Sequence, residues 1–282
     1  MRKIAYIQTL DELATEVLEP DLFAEEIRRN VIQLQDPALA RAGESIIGRL
    51  KDERHSPETS AALPGNVSFV VRMLPPHLVI GCIVLEVKNA AAVAEELRRY
   101  KRFAEWYGIP LHIVDGRWRA TRNRDRAHAK STFETRLLEI LKNYEIDAVM
   151  LDRTMFYVSL LIGESSPIRN NVFNSHPGIL EGVLSNPGKS PTTGALNLRD
   201  RTGINEAGVT VHRATSDVDG GPILASTRFD ITDITRPTHL RTRIYAGIEA
   251  SVQVEALTQT PITAVDWQDL TRASKIEVVA SR

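Results

Sequence analysis

Residues 172–177 read VFNSHP, which sets an amide, a hydroxyl and an imidazole on consecutive positions ahead of a proline. Apolar residues flank the group, so it reads as the end of a buried strand. In an extended segment the side chains at i and i+2 share a face. Pro177 biases His176 away from helical geometry and toward an extended backbone. Asn174 and His176 are therefore expected to project together, with Ser175 on the opposite face. An amide and an imidazole side by side can donate hydrogen bonds to an oxygen that gains negative charge in a transition state. The imidazole can also move a proton. The competing reading is a structural histidine at a strand end, and the segment alone does not exclude it.

A second group lies downstream in VTVHRATSDVDGGPIL: a strand, a turn with two acids, then Gly220, Gly221 and Pro222. Glycines let a backbone approach a ligand closely. Asp219 stands where a carboxylate could polarise an imidazole or hold a catalytic water. Asp217 fits the alternative better, an acid that caps the amides of its own turn. His212, in the strand ahead of the turn, is read as a structural residue. His55, His77, His112, His128 and His239 show no metal-ligand spacing, so no metal is expected.

The elements that must carry these groups alternate. KIAYIQT reads as a first strand, and residues 11–54 as helical around Pro37. HSPETSAALPGN is a loop, and VSFVVRM a short strand candidate. VIGCIVLEV is a continuous apolar run, as in a strand buried on both faces. AAAVAEELRRYKRFAEWYG is a helix with Gly108 at its C-terminal cap. IPLHIVD is the next strand, followed by the basic loop GRWRATRNRDRAHAK. STFETRLLEILKNYE is a helix with a capping box of Ser131 and Glu134, and IDAVMLD a further strand. After VFNSHP come strands in GVTVHRAT and ILASTRFDI, then one long helix over residues 236–259. This alternation predicts an α/β fold, a mainly parallel sheet with helices on both faces. The N-terminal region is an atypical helical one. The best boundary lies near residues 55–66, giving an N-terminal strand and helical extension over 1–66 and a catalytic domain over 67–282.

Composition narrows the function. A net charge of −1 argues against a nucleic-acid binder, which usually carries a basic surplus. No run of about 18 apolar residues exists, so no membrane-spanning helix is expected, and the acidic start does not read as a signal peptide. The single cysteine, Cys82, permits no intrachain disulfide and is consistent with a cytoplasmic setting. No Gly-x-Gly-x-x-Gly follows the first strand, which counts against a dinucleotide-binding dehydrogenase.

FNSHPGIL followed by GVTVHRATSDVDGGPIL resembles the signature pair of the folate-dependent formyltransferases, an Asn-x-His-Pro strand end and a Val-His strand leading into Asp-x-Gly-Pro-Ile. AVMLDRTMFYVS is similar to the family strand whose Met precedes the site, with Met155 in that place, and the resemblance covers residues 79–265. It implies the family's Rossmann-like fold, 10-formyltetrahydrofolate as formyl donor, and Asn174, His176 and Asp219 as the catalytic trio. Asn174 and a protonated His176 would stabilise the tetrahedral oxyanion, and Asp219 would support the imidazolium and relay protons. Residues around Met155, Phe156, Tyr157 and Val158, and around Asp217, Val218 and Gly220, would line the pterin pocket. Phe156 and Tyr157 depart from the family's usual residues.

Departures also select among members. No glycine precedes Gly43, so the family's phosphate-holding glycine loop after the first strand is missing. Too little chain follows Asp219 for the extra domain of the tRNA enzyme. Pro177 stands where the related hydrolase has a second histidine, which favours transfer over hydrolysis. The resemblance then points to a transferase for a small, amino-acid-type acceptor, most similar to the hydroxyornithine transformylases of hydroxamate siderophore pathways. Glycinamide ribonucleotide or amino-sugar transfer, and a non-catalytic folate-binding protein, remain as alternatives. Arg117, Arg119, Arg122, Arg124 and Arg126 could bind an acceptor carboxylate or a folate glutamate tail, although a solvated charged loop is the commoner use of such a run. The acids of residues 11–26 could meet an ammonium, and more commonly form a solvated helix face.

Overall fold

A computed structural model describes residues 1–10, 20–55, 65–120, 124–154, 158–188 and 190–268. The elements run β1 (Arg2–Leu10), α1 (Pro20–Leu34), α2 (Pro37–His55), α3 (Gly65–Met73), β2 (Leu78–Val87), α4 (Ala94–Tyr107), β3 (Leu111–Asp115) and α5 (Arg124–Asn143). They continue through β4 (Ala148–Asp152), α6 (Ser159–Ile162), β5 (Val172–His176), α7 (Pro191–Thr202), β6 (Glu206–Arg213), β7 (Ile223–Asp230), α8 (Pro237–Arg243) and α9 (Glu249–Gln259). The strands form one seven-stranded sheet in the order β3-β2-β1-β4-β5-β6-β7. The first five positions are parallel. β6 turns antiparallel to β5, and β7 antiparallel to β6.

The strand order reverses between β1 and β4, and parallel sheets bind ligands beyond the carboxyl ends of such strands. Two apolar layers hold the sheet. On one face Ile4, Tyr6, Ile83, Met150 and Phe173 pack with residues of α1, α2, α3, α4 and α9. On the other, Ala5, Ile7, Val84, Val149 and Val172 pack against α5, α6 and Trp267. The alternation of each strand across these layers explains its near-continuous apolar run.

Several expectations are corrected here. VSFVVRM is part of a helix, α3, whose Val67, Phe69 and Val70 are fully buried. A seven-residue, mostly apolar segment has no decisive period, and here the neighbouring helices set its state. The basic run is no long loop, since α5 begins at Arg124 and Ser131 lies inside it. Glu134 instead caps a different helix: its carboxylate accepts from Ser159 N, Leu160 N and Ser159 Oγ at 2.8–2.9 Å. The predicted long final helix is broken at residues 244–248, where Gly247 has φ 109°. A Cβ there would strike Leu39 and press on Phe69, so only glycine lets α2 and α3 approach this closely. Gly108 does cap α4, with φ 62° and its N–H on Ala104 and Glu105 carbonyls.

The helical N-terminal region is tied in by charge. Glu26 of α1 is buried, not part of a solvated face, and accepts from Arg243 Nε at 2.6 Å and pairs with His239 Nε2 at 2.9 Å. Arg243 also meets Asp233 at 2.9 Å, and its carbonyl accepts from Asn30 Nδ2 at 2.8 Å. Replacing Arg243 by Met strands a buried carboxylate. We expect a loss of roughly 3–5 kcal/mol in urea denaturation, with much of it recovered when Glu26 is also made Met. Equal stability of Arg243→Met and wild type would contradict this role.

Candidate active site

The antiparallel pairing of β5 with β6 sets Asn174 opposite His212 and His176 opposite Thr210. Asn174 and His176 share one face of β5 and line a cleft of about 430 Å³. Ser175 faces away, and its Oγ donates to the buried Glu249 at 2.5 Å. After β6 the chain turns through residues 214–221, which returns Asp219 to the same cleft. Asp219 adopts the left-handed region at φ 56°, a strained setting for a residue with a side chain. A Cβ on Gly221 would fall on the Arg213 backbone carbonyl, so the turn closes only with glycine there.

The polar groups converge. Asp219 Oδ2 lies 3.7 Å from His176 Nδ1, and Asp219 Oδ1 lies 3.6 Å from His212 Nε2. The Gly188 amide donates to Asp219 Oδ2 at 3.0 Å. His176 Nε2 lies 3.0 Å from the Asn186 carbonyl, which can only accept, so this nitrogen carries a proton. The 3.7 Å separation leaves room for Nδ1 and the carboxylate to tighten on a ligand. Burial pushes the His176 pKa below the usual histidine range, against the opposing pull of the Asn186 carbonyl and Asp219. The unliganded imidazole is therefore favoured as neutral. Asp219 is held below the usual carboxylate range by the polar groups that face it, the His212 imidazole first, then His176 and the Gly188 amide.

His212, read from sequence as structural, enters the site. Its Nδ1 lies 3.1 Å from the Arg213 carbonyl and so takes the proton, which leaves Nε2 as an acceptor. Asn174 Nδ2 donates to that acceptor at 3.0 Å. This tautomer fixes which way the Asn174 amide points, and its second N–H remains to serve an oxygen in the cleft. The available signal was the strand register: an inward residue of β6 must face an inward residue of β5.

Of the expected folate-contacting residues, Val158, Asp217 and Val218 line the cleft, and Gly220 supports the turn without reaching the lining. Met155, Phe156 and Tyr157 lie outside the described residues. The basic segment stands elsewhere: Arg117 is paired with Asp115 at 2.5 Å, and Arg126 lies over Trp118. Arg119, Arg122 and Arg124 have no described side chains. Two arginines that sequence reading did not single out, Arg153 and Arg241, line the cleft instead. Among the described residues no cluster of His, Cys, Asp and Glu could hold a metal ion. No helix among them is long and apolar enough to cross a membrane.

The His176 titration tests this electrostatic arrangement. In the wild type, imidazole resonances followed by NMR should titrate below the ordinary histidine range. In Asp219→Asn the value should fall further, because one of the groups that favours the imidazolium is gone. A rise would contradict the assignment.

No protein-family model matches the chain. Among curated proteins, formyltetrahydrofolate deformylase of Bacillus subtilis (strain 168) is 26% identical over 159 residues, 56% of this chain and 44% of that protein. Phosphoribosylglycinamide formyltransferase of the same organism is 28% identical over 106 residues, 37% of this chain and 49% of that protein. The matches thus span less than half the length of either curated relative. Among solved structures, glycinamide ribonucleotide transformylase 1 from Symbiobacterium toebii superposes with a TM-score of 0.51 at 20% identity, covering 91% of this chain and 86% of that one. Phosphoribosylglycinamide formyltransferase from Brucella melitensis gives 0.51 at 19% identity, covering 94% and 100%. These likenesses show a shared Rossmann-like fold. In sequence and in fold, the chain resembles the folate-dependent formyltransferase family.

Proposed function

We propose that this chain transfers the formyl group of 10-formyltetrahydrofolate to an amine or hydroxylamine nitrogen of a small acceptor. The observation that carries the reading is the convergence of Asn174, His176 and Asp219 on one cleft, braced by His212 and the Gly188 amide. Leu151, Val158, Ile162 and Val218 give the cleft apolar walls suited to a flat heteroaromatic ring.

The side chains divide the work. The acceptor nitrogen attacks the formyl carbon and the carbonyl electrons move to oxygen. Asn174 donates its free N–H to that oxygen. As charge develops, protonation of His176 at Nδ1 becomes favourable, because the new proton faces Asp219 and the added positive charge offsets the oxyanion. Asp219 holds the proton network and, directly or through water, takes the proton released by the attacking nitrogen. The carbon–nitrogen bond to the folate then breaks, and the departing nitrogen regains a proton from the same network. The polar groups needed for these steps are already oriented by backbone contacts at 3.0–3.1 Å from residues 186, 188 and 213.

N-hydroxyornithine, in hydroxamate siderophore formation, is the acceptor this reading favours. No glycine follows β1 in the sequence until Gly43, whereas the phosphate-cradling loop of the ribonucleotide enzymes is rich in glycine. A second reading is hydrolysis, in which water takes the acceptor's place. The 159-residue match to a deformylase favours it, and Pro177 after the catalytic histidine weighs against it.

His176→Ala should lower kcat by about 10²–10⁴-fold, and Asn174→Ala by about 10²–10³-fold. Both variants should keep the wild-type circular dichroism and melting profile. Tetrahydrofolate release with a fixed donor and a panel of acceptors is the readout. Near wild-type rates in both variants would sink the trio.

A further inference from the structure

The β4 exit, Asp152-Arg153-Thr154, is unlike a ligand-neutral strand end. Arg153 has a left-handed backbone at φ 51°, and its side chain is only 13% exposed yet borders the cleft. Its guanidinium lies over the Tyr245 ring, 4.9 Å from the centroid. With the Gln8 amide turned so that its oxygen faces the arginine, that oxygen accepts from the guanidinium. Among the described residues its one ion-pair partner is Asp152, at a long 3.9 Å. That carboxylate is already shared, accepting from Tyr6 OH at 2.8 Å and Asn66 Nδ2 at 3.3 Å. Asp152 and Glu96 both favour the arginine's charge, and its side chain still borders the cleft.

Arg241 of α8 reaches the same cleft, which Tyr245 also lines. Thr9 and Thr154 add short polar side chains on the same border. We infer that Arg153 and Arg241, which line the same cleft as Tyr245, form an anion subsite that holds the carboxylate of the acceptor. This deepens the proposed formyl transfer and rests on it for the acceptor's place in the cleft. Where the sequence after β1 offers no glycine, side-chain guanidiniums after β4 and on α8 could take an anion instead. A planar carboxylate suits a guanidinium fork. A lysine in either place would lose the fork and the stacking on Tyr245.

The test compares saturable binding of four probes to the wild type, Arg241→Gln and Arg153→Lys: N-hydroxyornithine, its carboxamide, inorganic phosphate and acetate. Arg241 is half-exposed, so its variant should fold even where a change at the buried Arg153 does not. The subsite predicts that the carboxamide binds the wild type at least about tenfold more weakly than the acid. Arg241→Gln should weaken the acid by a similar factor and leave the carboxamide unchanged. In turnover the same variant should raise KM with kcat nearly intact, as expected for a positioning residue. If the wild type ignores N-hydroxyornithine but binds phosphate or acetate in an Arg241-dependent manner, the subsite stands and the acceptor assignment falls. If the acid and the carboxamide bind the wild type alike, or Arg241→Gln changes no probe, the subsite is overturned.

Discussion

One constraint organises the site: the switch from parallel to antiparallel pairing at β5 and β6. A parallel neighbour would present its residues from the same end as β5 and carry its following loop away. The antiparallel strand instead lays His212 directly across from Asn174, then sends the chain back over the cleft so that Asp219 meets both imidazoles. The carbonyl of Arg213 selects the His212 tautomer, that tautomer orients the Asn174 amide, and the amide then has one N–H to offer. Each contact is a single hydrogen bond worth little alone, of order 1 kcal/mol. Their value is directional: they fix donors before a substrate arrives, and preorganised donors need no rearrangement as charge develops.

The opposite face of the same strands carries a buried polar network that joins the N-terminal helices to the site. Asn66 of α3 donates to both Asp152 and Glu249, and Ser175, between the two catalytic side chains, donates to Glu249. Burial and the nearby Asp152 charge push the Glu249 pKa up to about 8, so at neutral pH its carboxyl is mostly protonated and the pair avoids two adjacent buried charges. With the Glu26–Arg243 contact, this network makes α1, α2 and α3 part of the support of β4, β5 and α8. Those are the elements that carry Arg153, Asn174, His176 and Arg241.

Legibility followed locality. β2 announced itself by a continuous apolar run, β1, β4 and β5 by shorter apolar stretches, and Gly108 announced the end of α4. Asn174 and His176 were readable because an i, i+2 relation in an extended segment needs no tertiary knowledge. His212 was missed because its partner is set by strand register, which a single sequence does not display. Glu134 was misassigned because a carboxylate three residues after a serine fits a capping box, while its true partners, the amides of α6, lie 25 residues away in sequence. Arg153 and Arg241 were passed over for the denser run at 117–126, since charge density along a chain says little about which charges meet in space. Glu26 was similarly indistinguishable from its solvated neighbours until Arg243 was placed beside it.

The central claim, transfer of a formyl group to an acceptor nitrogen, is tested most directly by following the carbon itself. The protein would be incubated with 10-formyltetrahydrofolate carrying a ¹³C formyl group and with N-hydroxyornithine, and the label would be traced by NMR. The account predicts a new N-formyl resonance that grows as tetrahydrofolate is released, and little labelled formate. Label that appears only as free formate, at a rate indifferent to the acceptor, would contradict it.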